Sequence, residues 1–223
     1  MNPGPVTFPG IAMLQNLRET ISYFFFKRRL LKKMTSLYAM EDPWRSRLLS
    51  GLFEPFFAEA LGSRSANAKE LPVLDAGGGE GLMHQALGAP ELYHLLDIAP
   101  SALKRAEKNL RASGFRFIAA SLDDFRPGAR RYGAILFGSV LTYLGREKHP
   151  LLYRKTLMRL ADSLAPGGVI LLVHPFYNTR EKAGLESLGA PILENPRFER
   201  VLRRELAGKP QSFLCEAYKR TAE

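Results

Sequence analysis

The sequence predicts an α/β protein: a doubly wound, mostly parallel sheet with helices on both faces, preceded by helices and ending in an antiparallel hairpin. Three observations carry this expectation. From Leu71 onward, short apolar runs alternate with segments of helical period. A glycine-rich turn, VLDAGGGEG at residues 73–81, follows the first of those runs. Near the end, two strand-like runs flank Gly208-Lys209-Pro210.

In chain order, Pro72 to Ala76 reads as a buried strand, Gly81 to Leu87 as the start of a helix, and Leu92 to Asp97 as the next strand. Pro100 and Ser101 open a helix over Ala102 to Ala112, with Leu103, Ala106 and Leu110 on one face. Phe115 to Ala120 and Tyr132 to Phe137 are the third and fourth strands. His149 to Leu164 is helical, and the turn Pro166-Gly167-Gly168 leads into a fifth strand, Val169 to His174. The hairpin arms run from Phe198 to Leu206 and from Ser212 to Arg220. Before Asn67 the chain changes character. Ile21 to Tyr38 gathers Tyr23, Phe26, Leu30, Met34 and Leu37 on one side of a helical wheel and Arg28, Arg29, Lys32 and Lys33 on the other. The segregation is imperfect, with Phe25 on the basic side and Lys27 on the apolar side. Residues 1–66 are read as a helical extension or lid and 67–223 as the main domain.

Composition bounds the function. With 46% hydrophobic residues in 223, the chain can build a core. MNPGPVTFPG has no secretory pattern, no apolar run is long enough to span a bilayer, and a single cysteine, Cys215, excludes an internal disulfide and a multi-cysteine zinc site. A cytoplasmic protein without a metal is expected. The net charge of +10 favours anionic partners, whether RNA, anionic lipid or an acidic metabolite.

The glycine turn excludes two chemistries. It lacks the lysine of a Walker loop, and a dinucleotide fingerprint counted from Gly77 and Gly79 would need its third glycine where Leu82 stands. The pattern is instead D-x-G-x-G-x-G, from Asp75 through Gly77, Gly79 and Gly81. Asp97, 22 residues after Asp75, falls at the carboxyl end of the next strand, where an acidic side chain accepts hydrogen bonds from ribose hydroxyls. Together they suit a nucleoside that needs no pyrophosphate.

These residues resemble the class I S-adenosylmethionine-dependent methyltransferases. The resemblance runs from Leu71 to about Pro175 through VLDAGGGEG, LLDIAPSALKRAEKNL, FRFIAASLDDF, YGAILFGSVLTYLG and LADSLAPGGVILLVHP, in that order. It implies a Rossmann-like seven-stranded sheet and S-adenosylmethionine as cofactor, released as S-adenosylhomocysteine. It places Asp75, Gly77, Gly79 and Gly81 around the methionine part, Asp97 on the ribose and Ile98 against the adenine. Ser121 and Leu122 fall at the adenine edge, and Phe137 and Gly138 where backbone groups meet the amino group. Two positions depart from the family's pattern: Ser121 stands where Asp is common, and Gly133 where the fourth strand usually begins with Asp. A finer resemblance, in Tyr38 to Trp44 (YAMEDPW) and VLTYLG, is to the nodulation-type methyltransferases that N-methylate an amino sugar oligomer. It implies a lid with Tyr38 and Trp44 over the cofactor and Arg45 near its carboxylate.

Methyl transfer from a sulfonium is an in-line displacement, and a base is needed only where the acceptor must lose a proton. Strand-end candidates are Tyr143 and Thr142 after the fourth strand and His174 and Tyr177 after the fifth, with His149 at a helix start. His174 and Tyr143 lead. Cytosine C5 chemistry is disfavoured, because Cys215 sits in the hairpin. Amino-directed nucleic-acid methylation is disfavoured too, because GSVLTY replaces D/N-P-P-Y. The expectation is methyl transfer to nitrogen or oxygen of a small molecule. Two rival readings remain: RNA methylation, on the net charge and Arg197, Arg200, Arg203 and Arg204, and a non-catalytic membrane-surface or scaffold protein, on Tyr23 to Leu37, Ser121 and Gly133. The acceptor and the oligomeric state stay open.

Overall fold

The structure is a computed structural model that describes residues 9–38, 50–110, 113–144, 149–208 and 211–221. Seven strands form one sheet in the order β3-β2-β1-β4-β5-β7-β6. They are β1 (Val73–Ala76), β2 (Tyr93–Asp97), β3 (Phe115–Ala119), β4 (Tyr132–Gly138), β5 (Leu164–Phe176), β6 (Phe198–Leu206) and β7 (Ser212–Arg220). The first five are parallel; β7 runs antiparallel to both β5 and β6. The helices are α1 (Pro9–Leu37), α2 (Ser50–Gly62), α3 (Ala66–Lys69), α4 (Pro100–Asn109), α5 (Pro150–Asp162), α6 (Thr179–Glu186) and α7 (Ala190–Leu193).

The continuous apolar runs become buried strands because both faces of the sheet are covered. One layer packs Leu74, Leu96, Ile135 and Ile170 against Tyr153, Leu157 and Leu160 of α5. The other packs Val73, Leu95, Leu136 and Leu171 against Phe53, Phe56 and Phe57 of α2 and Leu103 of α4. The three phenylalanines are fully buried, each contributing about 1.5–3 kcal/mol of transfer free energy. Helix α2 thus shares its core with the sheet. The edge strand β6 is mostly exposed, with only Phe198 buried, and carries Arg200, Arg203 and Arg204, charges that oppose pairing with another chain.

Three local differences from the sequence expectation have physical causes. No regular helix spans Gly81 to Leu87. Gly79 and Gly81 have φ of 58° and 73°, and Gly88 already closes the segment in a left-handed turn, with Gly88 N–H donating to Gln85 and Ala89 N–H to His84. Too few residues remain between these breaks to propagate a helix. Helix α4 stops at Asn109, because Leu110 turns extended and packs over Gly81. The turn at Pro166-Gly167-Gly168 is a bulge inside β5: Leu164 pairs with Tyr132 and Val169 with Ala134, leaving 165–168 opposite Gly133 alone. Gly133 itself is steric, since a Cβ there would overlap the carbonyl oxygen of Ala68 in α3. Its departure from the family's aspartate is therefore required by packing at the start of β4, well away from the strand's carboxyl end.

Candidate functional site

The carboxyl ends of the parallel strands open into a cavity of about 750 Å³, within the usual range of roughly 300–1,000 Å³ for small-molecule sites. Its floor begins at the glycine turn. Gly77 and Gly78 N–H donate to the carbonyl of Leu96 at 2.7 and 3.3 Å, tying the turn to β2. Gly77 and Gly79 take φ of 78° and 58°, which L side chains rarely adopt. A Cβ at Gly77 would strike Val140, and one at Gly79 would strike the Tyr38 hydroxyl, both on the cavity wall. Gly81 does not line the cavity; its open side faces Leu95 and Leu110 in the core. The alternate glycines thus border the cavity at the first two positions and pack in the core at the third.

Asp97 is buried at the end of β2. Its Oδ2 accepts from Gly79 N–H at 2.9 Å and its Oδ1 from Ala99 N–H at 2.8 Å. It therefore pins the glycine turn while bordering the cavity, and burial pushes its pKa up. Asp75 lies beneath Gly78 and accepts the Tyr93 hydroxyl proton at 2.5 Å. Burial, with a smaller push from Asp97, raises Asp75 to about 7 against the opposing hydrogen bond from Tyr93. Ile98, Ser121, Leu122 and Gly138 all line the same cavity, whereas the Phe137 side chain points into the core. Ser139 follows at φ 60°, a strained conformation for a residue with a Cβ, held by its N–H to Val173 at 2.7 Å.

The remaining candidates divide. Tyr143 lines the cavity from the 3-10 turn Leu141–Leu144, and burial raises the pKa of its hydroxyl. Thr142 does not line it; its hydroxyl donates to Ser139 and braces that turn. Tyr177 stands exposed at the rim. His174 does not reach the cavity. It is only 1% exposed, while its neighbours Val173 and Pro175 face the ligand space, and burial lowers its pKa to about 4 so the ring is neutral. His149 is buried at the start of α5, edge-on to Tyr23 at 5.1 Å, and also stays off the wall. Trp44 and Arg45 lie outside the described residues.

The roof was only partly legible. Tyr38 is buried over Gly79, and Tyr23, Leu30 and Met34 extend that roof along α1. Lys27, the cation on the apolar side of the wheel, donates to Asp123 at 3.0 Å and also to Asp124 after β3. Burial opposes its charge, yet those hydrogen bonds outweigh it and raise its pKa. Asp123 was not anticipated, nor were Phe53, Phe57 and Phe213 on the far wall. The misplaced lysine was the one signal for the first. The four arginines of the C-terminal region are engaged: Arg197 with Asp162, Arg200 with Glu216, Arg203 with Glu186 and Arg204 with Glu59. Among the described residues no helix is long and apolar enough to cross a membrane.

No family model matches the chain, and no curated protein sequence matches it. Solved structures do. The N-methyltransferase NodS from Bradyrhizobium japonicum WM9, in complex with S-adenosyl-L-homocysteine, gives a TM-score of 0.69 at 18% identity, covering 86% of this chain and 98% of its own. A SAM-dependent methyltransferase from Leishmania major gives 0.66 at 16% identity, over 87% and 83%. The 1,6-didemethyltoxoflavin-N1-methyltransferase from Burkholderia thailandensis, with 1,6-didemethyltoxoflavin and S-adenosylhomocysteine bound, gives 0.56 at 18% identity, over 99% and 94%. Strand order, the antiparallel C-terminal pair and these likenesses agree: the chain has the Rossmann-like fold of the class I S-adenosylmethionine-dependent methyltransferases.

Proposed function

We propose that the chain is an S-adenosylmethionine-dependent methyltransferase acting on nitrogen or oxygen of a small-molecule acceptor. One observation carries the reading. A single roofed cavity joins the glycine turn, Asp97, Ser121 and Gly138 at its β1–β4 side to an aromatic wall of Phe53, Phe57, Tyr143 and Phe213. The residues suit the cofactor: Gly77 and Gly79 bring bare backbone to the cavity wall, where a Cβ would strike Val140 or Tyr38, and Asp97 offers carboxylate oxygens beside it. When bound, S-adenosylmethionine supplies a methyl carbon on a sulfonium, open to in-line displacement.

The chain's own residues hold, orient and keep dry. Asp97 and Gly79 fix the floor, and Tyr38 and Met34 exclude water from above. At Tyr143 the raised pKa keeps the hydroxyl protonated near neutral pH, so it orients an acceptor by hydrogen bonding and is a poor base. That favours an acceptor able to attack without first losing a proton, such as a neutral amine or ring nitrogen. The 1,6-didemethyltoxoflavin bound to the Burkholderia N1-methyltransferase and the N-directed activity of NodS support the same reading. The lid is α1, whereas α2, within the same first 66 residues, belongs to the core of the main domain. The RNA reading is less favoured, because the four arginines it rests on each pair with an acidic side chain.

The test is thermal shift with S-adenosylhomocysteine, S-adenosylmethionine, NAD and ATP, since a ligand of the native state raises the melting temperature by mass action. A rise with the first two alone supports the proposal. No rise with either, in folded protein free of co-purified cofactor, overturns it.

A further inference from the structure

Helix α1 roofs the cavity with one face, and its other face is unaccounted for. The inner face, Tyr23, Leu30, Met34 and Tyr38, is packed on the domain. Outward, Phe24 and Phe25 are 62% and 56% exposed and touch only edge to face, with ring centroids 5.9 Å apart. Arg28, Arg29 and Lys32 are exposed on the next turns of the same outer side. No acidic residue occurs between Ile21 and Tyr38. Among the described residues none of these three cations has an ion-pair partner, in contrast to the arginines of β6.

We propose that this outer face of α1 docks on an anionic lipid bilayer, with Phe24 and Phe25 entering the headgroup region and Arg28, Arg29 and Lys32 meeting lipid phosphates. Two exposed aromatic rings beside three cations without an ion-pair partner among the described residues are the chemistry of an interfacial helix, which lies on a membrane and does not cross it. The charge also selects among occupants. A second copy of the chain would bring like charges together, and its net charge of +10 adds long-range repulsion. The face is a convex helix, which meets a plane readily; single-stranded nucleic acid is held instead in grooves with stacking platforms. Docking in this way sets the roof of the cavity against the bilayer. The inference goes beyond methyl transfer and stands or falls independently of it.

The experiment is co-sedimentation of the full chain with vesicles of phosphatidylcholine alone and of phosphatidylcholine with phosphatidylglycerol, with a single-stranded RNA oligomer as a soluble polyanion control. The expected result is binding to the anionic vesicles and little to the neutral ones. Each cation near the surface is worth about fivefold, so the Arg28→Gln/Arg29→Gln/Lys32→Gln variant should bind on the order of 100-fold more weakly. A second variant, Phe24→Ser/Phe25→Ser, should bind at least about tenfold more weakly, because it removes the inserted apolar surface. All five positions are exposed, so both variants should melt as the parent does. Absence of binding to anionic vesicles, wild-type binding by either variant, or tighter binding per phosphate to the RNA overturns the proposal, the last in favour of a nucleic-acid face.

Discussion

Replacing Asp97 tests the floor of the site and the cofactor reading with one residue. Its two carboxylate oxygens accept from the buried N–H groups of Gly79 and Ala99. Asp97→Asn keeps the shape and one acceptor but turns an amide N–H toward the other donor. Leaving one buried N–H without a partner costs about 1–3 kcal/mol. For a chain of this size a loss of about 2 kcal/mol lowers the melting temperature by roughly 4–8 °C. Binding should suffer separately. A hydrogen bond to a charged group is worth about 1.5–3 kcal/mol, so S-adenosylhomocysteine should bind roughly 10- to 150-fold more weakly. Circular-dichroism melts of the ligand-free protein read the first effect, and titration calorimetry at 25 °C reads the second. A lowered melting temperature with unchanged affinity would make Asp97 a pin for the glycine turn and nothing more. An unchanged melting temperature would refute the hydrogen-bond reasoning itself.

Other perturbations report on neighbouring features. Asp75 is raised from 3.8 to about 7 by burial, so the native state holds its proton more tightly than the unfolded chain does; stability from this group is greatest below about pH 4 and is lost as pH rises towards 7. Asp75→Asn should flatten that fall, a difference of a few kcal/mol at most, measured as ligand-free melting temperature from pH 5 to 8; an identical slope would exclude Asp75 as its source. Gly133→Ala forces a Cβ onto the Ala68 carbonyl and should destabilise by about 3 kcal/mol or more, read as a lower denaturation midpoint; a neutral effect would show that α3 can shift away from β4. His174→Leu should leave S-adenosylhomocysteine affinity and turnover within about threefold, because the ring is neutral, buried and off the cavity wall. Loss of turnover with affinity and melting temperature intact would restore a catalytic role to His174.

Much of the fold was legible because its signals are local. Alternating apolar runs, the glycine turn, Pro100 at the head of α4 and the arms of the hairpin each declare themselves within a dozen residues, and the hairpin strands match their expected bounds. Within the site, Asp97 and the first two glycines were legible for the same reason: a turn needing positive φ and a carboxylate at a strand end are properties of a short segment. The missing regular helix after Gly81 was also local in origin, but it depended on how closely the left-handed positions crowd the segment.

The sequence by itself thus determined the alternation of strands and helices, the glycine turn and the carboxylate at the end of β2. Tertiary structure decided what surrounds them. Lys27 and Asp123 are 96 positions apart, and no periodicity links them until α1 lies across the strand ends. The same holds for Phe53 against Phe213, rings 4.9 Å apart from opposite ends of the chain. His174 is the clearest case. In a strand buried on both faces every position is apolar or enclosed, so the two-residue period says that neighbours point opposite ways without saying which way the cavity lies. Only the packed layers turned Val173 and Pro175 towards it and His174 away.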